Sequence, residues 1–214
     1  MTQSLDLFTY YRSTSSYRVR IALGLKGLDY TVIPVNLLGG EQLEPGYQSI
    51  NPQCRVPTLR LESGQVLTQS TAIIEYLDER YPEHPLLSSD IELRARQRSV
   101  ASLIACDIHP LHNVSVLNRL RALGHSEAEV NAWIGHWISE GFTAIEQLIG
   151  DDGYCVDPDV PSMADVYLLP QVYAARRFNV DLTSYPRIQR VEQRALHHWA
   201  FQAAHPDAQP DKPE

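Results

Sequence analysis

The chain has 214 residues, 43% hydrophobic and 21% charged, with 11 Gly and 14 Pro scattered along it. That composition belongs to a folded protein of one large or two modest domains and excludes a miniprotein, a fibre or a disordered chain. Eighteen Lys+Arg against 26 Asp+Glu give a net charge of −8, which argues against a polyanion-binding surface while leaving room for local basic clusters that grip a small dianion.

Leu5 to Tyr10 is a short β-prone run, and Tyr30 to Val35 is a second, rich in branched residues. Between them, Ser16 to Lys26 sets Val19, Ala22, Leu23 and Lys26 at helical spacing, and Gly27 follows as a C-cap. Thr58 to Leu61 and Gln65 to Thr68 flank Ser63-Gly64, a hairpin turn. Ser70 to Tyr81 then places Ile73, Ile74 and Leu77 on one stripe. The order βαβ then ββα predicts a small mixed sheet with helices packed on it.

Composition changes at Pro82-Glu83-His84-Pro85, so a linker is expected over 83–90 between a first domain, 1–82, and an all-helical domain, 91–204. Helical patterns run over roughly 91–123, 126–149, 162–177 and 184–204, with a break near Asp107 to His109 because Pro110 lacks an N–H. Residues 205–214, with three prolines among polar residues, read as an irregular tail. No run approaches ~18 unbroken apolar residues, and Asp6 stands where a signal peptide would be apolar, so a cytoplasmic protein is expected. Cys54, Cys106 and Cys155 are spread apart and odd in number, which fits a reducing compartment and no disulfide framework.

Four consecutive hydroxyls, Ser13-Thr14-Ser15-Ser16, precede the first helix. One or two suffice to cap it; the surplus suits an anion or thiolate at a helix N-terminus. Val56-Pro57 stands at a strand entrance, where a cis bond would turn the Val56 backbone toward an extended peptide. Ser70 reads as the cap of the third helix, with Gln69 beside it, a geometry that also offers N–H donors to a carboxylate. Pro161-Ser162-Met163-Ala164-Asp165-Val166 is a capping box with Asp in place of Glu. Cys106, Asp107, His109 and His112 lack the spacing of a metal site, and Asp78-Glu79-Arg80 and His197-His198 read as solvated faces.

In their order these stretches resemble the glutathione transferase superfamily, and within it the zeta class, over nearly the whole chain. The likeness is carried by Tyr11-Arg12-Ser13 with Arg18-Val19-Arg20, Asn51-Pro52 with Val56-Pro57-Thr58-Leu59, and Gln69-Ser70 with Ala72-Ile73-Ile74. Asp107-Ile108-His109-Pro110-Leu111 with Asn113, and Ala164-Asp165 with Pro170-Gln171, extend it. The resemblance implies an α/β thioredoxin-like N-terminal domain holding glutathione, an all-α C-terminal domain forming a substrate pocket, and a homodimer. By position, Ser13 is similar to the hydroxyl facing the glutathione sulfur, with Thr14 and Ser15 completing the loop. Val56 would pair through its main chain with the cysteinyl backbone, and Gln69 and Ser70 would hold the γ-glutamyl carboxylate. Gln42, His109 and Asn113 match further glutathione-contact positions. Arg12 and Arg177 are similar to basic residues placed around a diacid substrate.

The implied activity is cis–trans isomerisation of maleylacetoacetate to fumarylacetoacetate, in tyrosine and phenylalanine catabolism. It proceeds by thiolate addition, bond rotation and elimination, with glutathione as cofactor, a cis-enedioic acid as substrate, and no metal, nucleic acid or membrane. Many zeta enzymes read Ser-Ser-Cys where this chain has Ser13-Thr14-Ser15, so a protein thiol at that position is lost. Maleylpyruvate isomerases of the class also lack that Cys but carry an Arg pair shortly after the Asn matching Asn113, where this chain has Val114-Ser115. A maleylpyruvate isomerase, a general glutathione transferase or peroxidase, and a non-catalytic scaffold are the competing readings.

Overall fold

The computed structural model describes residues 5–213; residues 1–4 of the expected first domain and Glu214 of the expected tail lie outside the described residues. The chain divides into two compact units, one drawn from Met1–Pro85 together with His198–Glu214, the other being Leu86–His197.

In the first unit β1 (Leu5–Thr9), β2 (Tyr30–Pro34), β3 (Thr58–Arg60) and β4 (Val66–Thr68) form one sheet in the order β2-β1-β3-β4. β1 and β2 are parallel, whereas β3 runs antiparallel to both β1 and β4. The parallel pair needs a crossover, which α1 (Thr14–Leu25) supplies. Gly27 ends that helix at φ +64°: the Leu28 N–H bonds the Leu23 carbonyl and the Gly27 N–H that of Gly24, a left-handed termination glycine adopts without steric cost. The β3–β4 hairpin closes through Gly64 at φ +81°. A short helix, α2 (Pro45–Gln48), precedes β3, and α3 (Ser70–Arg80) follows β4.

α1 is buried on every side, because it packs against α3 and also against α9 (Trp199–Ala204). It therefore carries Arg18 and Arg20 inside, at 2% and 1% exposure. Lys26, at its C-cap, is likewise buried and pairs with Asp78 at 2.7 Å while donating to the Tyr81 carbonyl at 2.8 Å. This corrects the reading of Asp78 as a solvated charge: on the last turns of α3 it neutralises a lysine that would otherwise be buried unpaired.

In the second unit the expected 91–123 helix is four pieces: α4 (Ile91–Ser102), a π turn over Leu103–Ile108, a 3-10 turn over His109–His112, and α5 (Val114–Ala122). The expected break falls where Pro110 enters the 3-10 turn and removes a donor. By length and composition Ile91–Ala122 is the one stretch among the described residues that could cross a membrane, yet these turns interrupt it and α4 packs on α7 (Met163–Arg177). α6 (Glu127–Leu148) starts at a capping box of Ser126 and Glu129. The expected 184–204 helix is two: α8 (Pro186–Leu196) stops, and His198 caps α9 by accepting the Ala200 N–H at 3.2 Å. α9 belongs to the first unit, as does the segment after it, which holds a 3-10 turn over Pro206–Ala208 and is not the irregular tail expected.

α7 buries most of its length, and its start is fixed by Asp165. That side chain, fully buried, accepts the Ser162 N–H at 2.8 Å, the Ser162 hydroxyl at 2.9 Å and the Cys155 N–H at 2.7 Å. The same burial, with Asp165 alongside, pushes the Cys155 thiol well above its ordinary range and makes it inert. Asp165→Ala leaves two buried N–H groups without acceptors, so the expected loss is about 3 kcal/mol of unfolding free energy, measured by denaturant titration.

Candidate active site

Strand pairing decides which loops meet. Phe8 opposes Thr58, and Thr58 opposes Thr68. Because β3 is antiparallel to both neighbours, the end of β1, the start of β3 and the end of β4 share one end of the sheet. The Tyr10–Ser13 loop, the Val56-Pro57 bond and Gln69-Ser70 therefore open at that same end, and Arg18 of α1 joins Ser70 of α3 through an Nη1···Oγ contact of 3.5 Å.

Ser13 is the N-cap of α1, with extended backbone and its Oγ accepting the Ser16 N–H at 3.2 Å. Capping uses one of its lone pairs; the hydroxyl proton remains to be donated. The helix therefore begins two residues earlier than its periodicity indicates. Thr14 and Ser16 are buried, whereas Ser13 and Ser15 are partly accessible. The first turn of α1 contains no carboxylate, so nothing on the helix itself neutralises the positive end of its dipole. Arg12 lies beside this turn, its guanidinium 5.9 Å from the Tyr11 ring centre.

Arg20 fixes the loop from inside. Its Nη2 donates to the Tyr11 carbonyl at 2.9 Å, its Nη1 to the Thr9 hydroxyl at 3.1 Å, and its Nε to the Ala204 carbonyl of α9 at 3.1 Å. The Tyr17 ring stacks 5.5 Å from the guanidinium. On the outer side, the Tyr11 N–H donates to Asp211 at 2.7 Å.

The Val56-Pro57 peptide is cis, and β3 starts only at Thr58, so the Val56 backbone lies outside the sheet's own ladder. Its flanks are held by a buried polar pair. Tyr47 donates its hydroxyl to the Arg55 carbonyl at 2.6 Å and sits 2.9 Å from the Thr58 hydroxyl; the Asn51 amide donates to the same two groups at 2.8 and 3.0 Å. Burial pushes the Tyr47 phenol above its usual range, so it stays a neutral donor.

Ser70 is the first helical residue of α3 and not its cap. The cap position is Gln69, at φ +69°, a left-handed backbone that a side chain makes costly and that cluster at functional sites. The Gln69 side chain makes no capping bond; it reaches Gln53 at 2.7 Å instead, and the first turn of α3 also lacks a carboxylate. Gln42 lies in a 3-10 turn over Glu41–Leu43, its Oε1 buried without a hydrogen-bond partner.

In the second unit His109, His112, Phe178 and Arg177 form a chain of ring contacts. His109 lies 5.2 Å from His112, His112 lies 5.9 Å from Phe178, and the Arg177 guanidinium sits 4.6 Å above the Phe178 ring. His112 is buried and anchored on Gln171. Asn113 caps α5, its Oδ1 accepting from the Ser115 N–H and hydroxyl, so its acceptor faces its own helix. Among the described residues no group of three His, Cys, Asp or Glu side chains converges as a metal site would.

No motif or periodicity marks Tyr47 or Asp211, and Arg20 stands in the sequence only within the stretch Arg18-Val19-Arg20, with no role attached to it. Arg20→Met strips the Thr9 hydroxyl and the Tyr11 and Ala204 carbonyls of their donor. It is expected to cost about 3 kcal/mol in denaturant unfolding, and to open residues 198–213 to proteolysis ahead of the rest.

Residues 12–80 match the family of glutathione S-transferase N-terminal domains. The maleylacetoacetate isomerase of Pseudomonas aeruginosa is 61% identical, the match covering 98% of this chain and 99% of that one. A holo maleylpyruvate isomerase, a bacterial zeta-class glutathione S-transferase, superposes with a TM-score of 0.94 at 46% identity over 97% of this chain and 100% of that one. A maleylacetoacetate isomerase of Anaeromyxobacter dehalogenans, with glutathione in its active site, gives a TM-score of 0.90 at 41% identity over 99% of each.

Proposed function

The chain belongs to the glutathione S-transferase family, in its zeta class, and from that membership we propose that it is a glutathione-dependent cis–trans isomerase converting maleylacetoacetate to fumarylacetoacetate. The observation that carries the reading is the meeting, at one end of the sheet, of two helix starts free of carboxylates with a backbone segment left outside the ladder.

These features fit the tripeptide group by group. A helix start with no acidic residue and an uncapped Gln69-Ser70 turn suits the γ-glutamyl carboxylate, and the Val56 backbone suits the cysteinyl peptide. Gln42, His109 and Asn113 are assigned to further contacts with the same ligand, Asn113 through its amide NH2 because its Oδ1 is engaged. Arg12 and Arg177 are assigned to the carboxylates of the substrate, the latter steadied by the Phe178 ring. Thr14 and Ser15 complete the hydroxyl loop around Ser13.

Glutathione, when bound, supplies the thiol whose reversible addition lowers the order of the cis double bond and lets it turn. The chain's task is to keep that sulfur anionic. An unperturbed thiol of pKa ~8.5 is about 3% ionised at pH 7, and moving it down by about two units needs roughly 2.7 kcal/mol. The Ser13 hydroxyl, donating to a charged acceptor, is worth about 1.5–3 kcal/mol, and the α1 dipole adds about 0.3–1 kcal/mol. The two together meet the requirement without a protein thiol, so Ser15 in place of Cys is compatible with turnover.

A homodimer and a cytoplasmic setting in tyrosine and phenylalanine catabolism complete the reading, the latter supported by three free thiols. Offering the purified chain maleylacetoacetate and maleylpyruvate, with and without glutathione, tests it. Faster formation of the trans product from maleylacetoacetate, only with glutathione and with no thiol consumed, is expected; loss of free thiol would make it a conjugating transferase instead. Ser13→Ala should move the acid limb of the rate profile up by roughly one pH unit, because a thiol with a higher pKa needs a higher pH to ionise. Arg177→Ala should raise KM for the diacid at least tenfold while changing KM for glutathione less than twofold, the scale of one charge-assisted pair.

A further inference from the structure

The residues after α9 return to the first unit once the whole of the second has intervened, and they are built into it. The Gln209 amide donates to the Ala203 and His205 carbonyls at 2.8 and 3.0 Å, the Pro206–Ala208 turn follows α9 directly, and Lys212 pairs with Asp207 at 2.7 Å. This turn delivers Asp211 to the loop between β1 and α1. There one carboxylate oxygen accepts the Tyr11 N–H at 2.7 Å, while the other is buried with no hydrogen-bond partner.

We propose that Asp211 is a positioning residue for the Ser13 loop: its carboxylate grips the Tyr11 N–H from one side while Arg20 grips the Tyr11 carbonyl from the other, fixing the chain two residues ahead of the hydroxyl assigned to the glutathione sulfur. The inference rests on that assignment. A surface aspartate serving only solubility would leave both oxygens in water, because withdrawing either is costly. Here the withdrawal is offset by a short charge-assisted bond to a main-chain group of the functional loop. Tyr11 is thus engaged on both faces of its backbone, and the adjacent Tyr10 carbonyl accepts the Ser13 N–H at 3.0 Å. The cap of α1 is held through consecutive peptides and not by its own hydroxyl alone. Such fixing matters because a donor must meet the developing or resting anion at short range without reorganising.

The test uses the full chain carrying Asp211→Ala, Asp211→Asn or Asp207→Ala, with kcat and KM for glutathione measured at saturating diacid and the thermal midpoint recorded for each. Asp211→Ala is expected to lower kcat/KM for glutathione about tenfold, the scale of one charge-assisted bond. Asp211→Asn, whose amide oxygen still accepts, should recover most of the loss, and Asp207→Ala, which removes only the Lys212 and His205 contacts of this segment, should stay within about twofold of the parent. An unchanged Asp211→Ala, an Asp211→Asn as damaged as the alanine, or an equal loss in Asp207→Ala would each overturn the proposal. Amide hydrogen exchange in the parent chain gives a reading independent of variant folding: protection at Tyr11 is expected, and exchange at the rate of an open loop would contradict it. A parent without glutathione-dependent turnover would sink the isomerase reading and leave this exchange result standing, so the two failures are told apart.

Discussion

Arg20 is a full positive charge inside the first unit, and the arrangement of the β1–α1 loop depends on it. A buried guanidinium persists only where its donors are satisfied, and here they reach a strand hydroxyl, a loop carbonyl and the carbonyl ending α9, with an aromatic face at its side. A lysine would donate from a single point, whereas these contacts leave from three separate nitrogens of the planar fork. By drawing β1, the loop and α9 onto one planar group, Arg20 makes the position of Ser13 a property of the core and not of a flexible connection.

The second constraint is topological. Antiparallel pairing of β3 with both β1 and β4 brings three sequence-distant connections to one end of a four-stranded sheet. The helix starts there carry hydroxyls and amides and no acidic side chains, although Asp and Glu outnumber Lys and Arg by eight in the chain. Most first turns of helices favour acids for stability; these two forgo that, and the positive ends of α1 and α3 stay available.

Much of this was legible in the residues themselves. Strand and helix periodicity, Ser63-Gly64 and Gly27 outline the first unit, and Pro110 marks the break in the long helical run of the second. The connections that carry Ser13, Val56-Pro57 and Gln69-Ser70 leave from the end of β1, the start of β3 and the end of β4, which share one end of the sheet. What pattern could not reveal is burial that contradicts residue type. Arginine is ordinarily a surface residue, yet Arg18 and Arg20 lie buried because α3 and α9 cover α1. The Lys26–Asp78 pair is hidden for the same reason. The segment after α9 reads as irregular because its prolines suppress periodicity, yet Pro206 opens the 3-10 turn that precedes Asp211. Ser70 resembles a cap by composition, whereas the backbone gives the cap to Gln69, whose left-handed conformation no propensity scale favours. His197-His198 hides a helix boundary because histidine is an uncommon cap.

The account comes down to one quantity, the acidity of a thiol that the chain borrows. The direct measurement is the thiolate absorbance of glutathione bound to the wild-type chain, followed as a function of pH. A midpoint one to two pH units below that of free glutathione is predicted, the shift that a hydroxyl donor and a helix dipole supply. A bound thiol that titrates where the free one does, or higher, would contradict it.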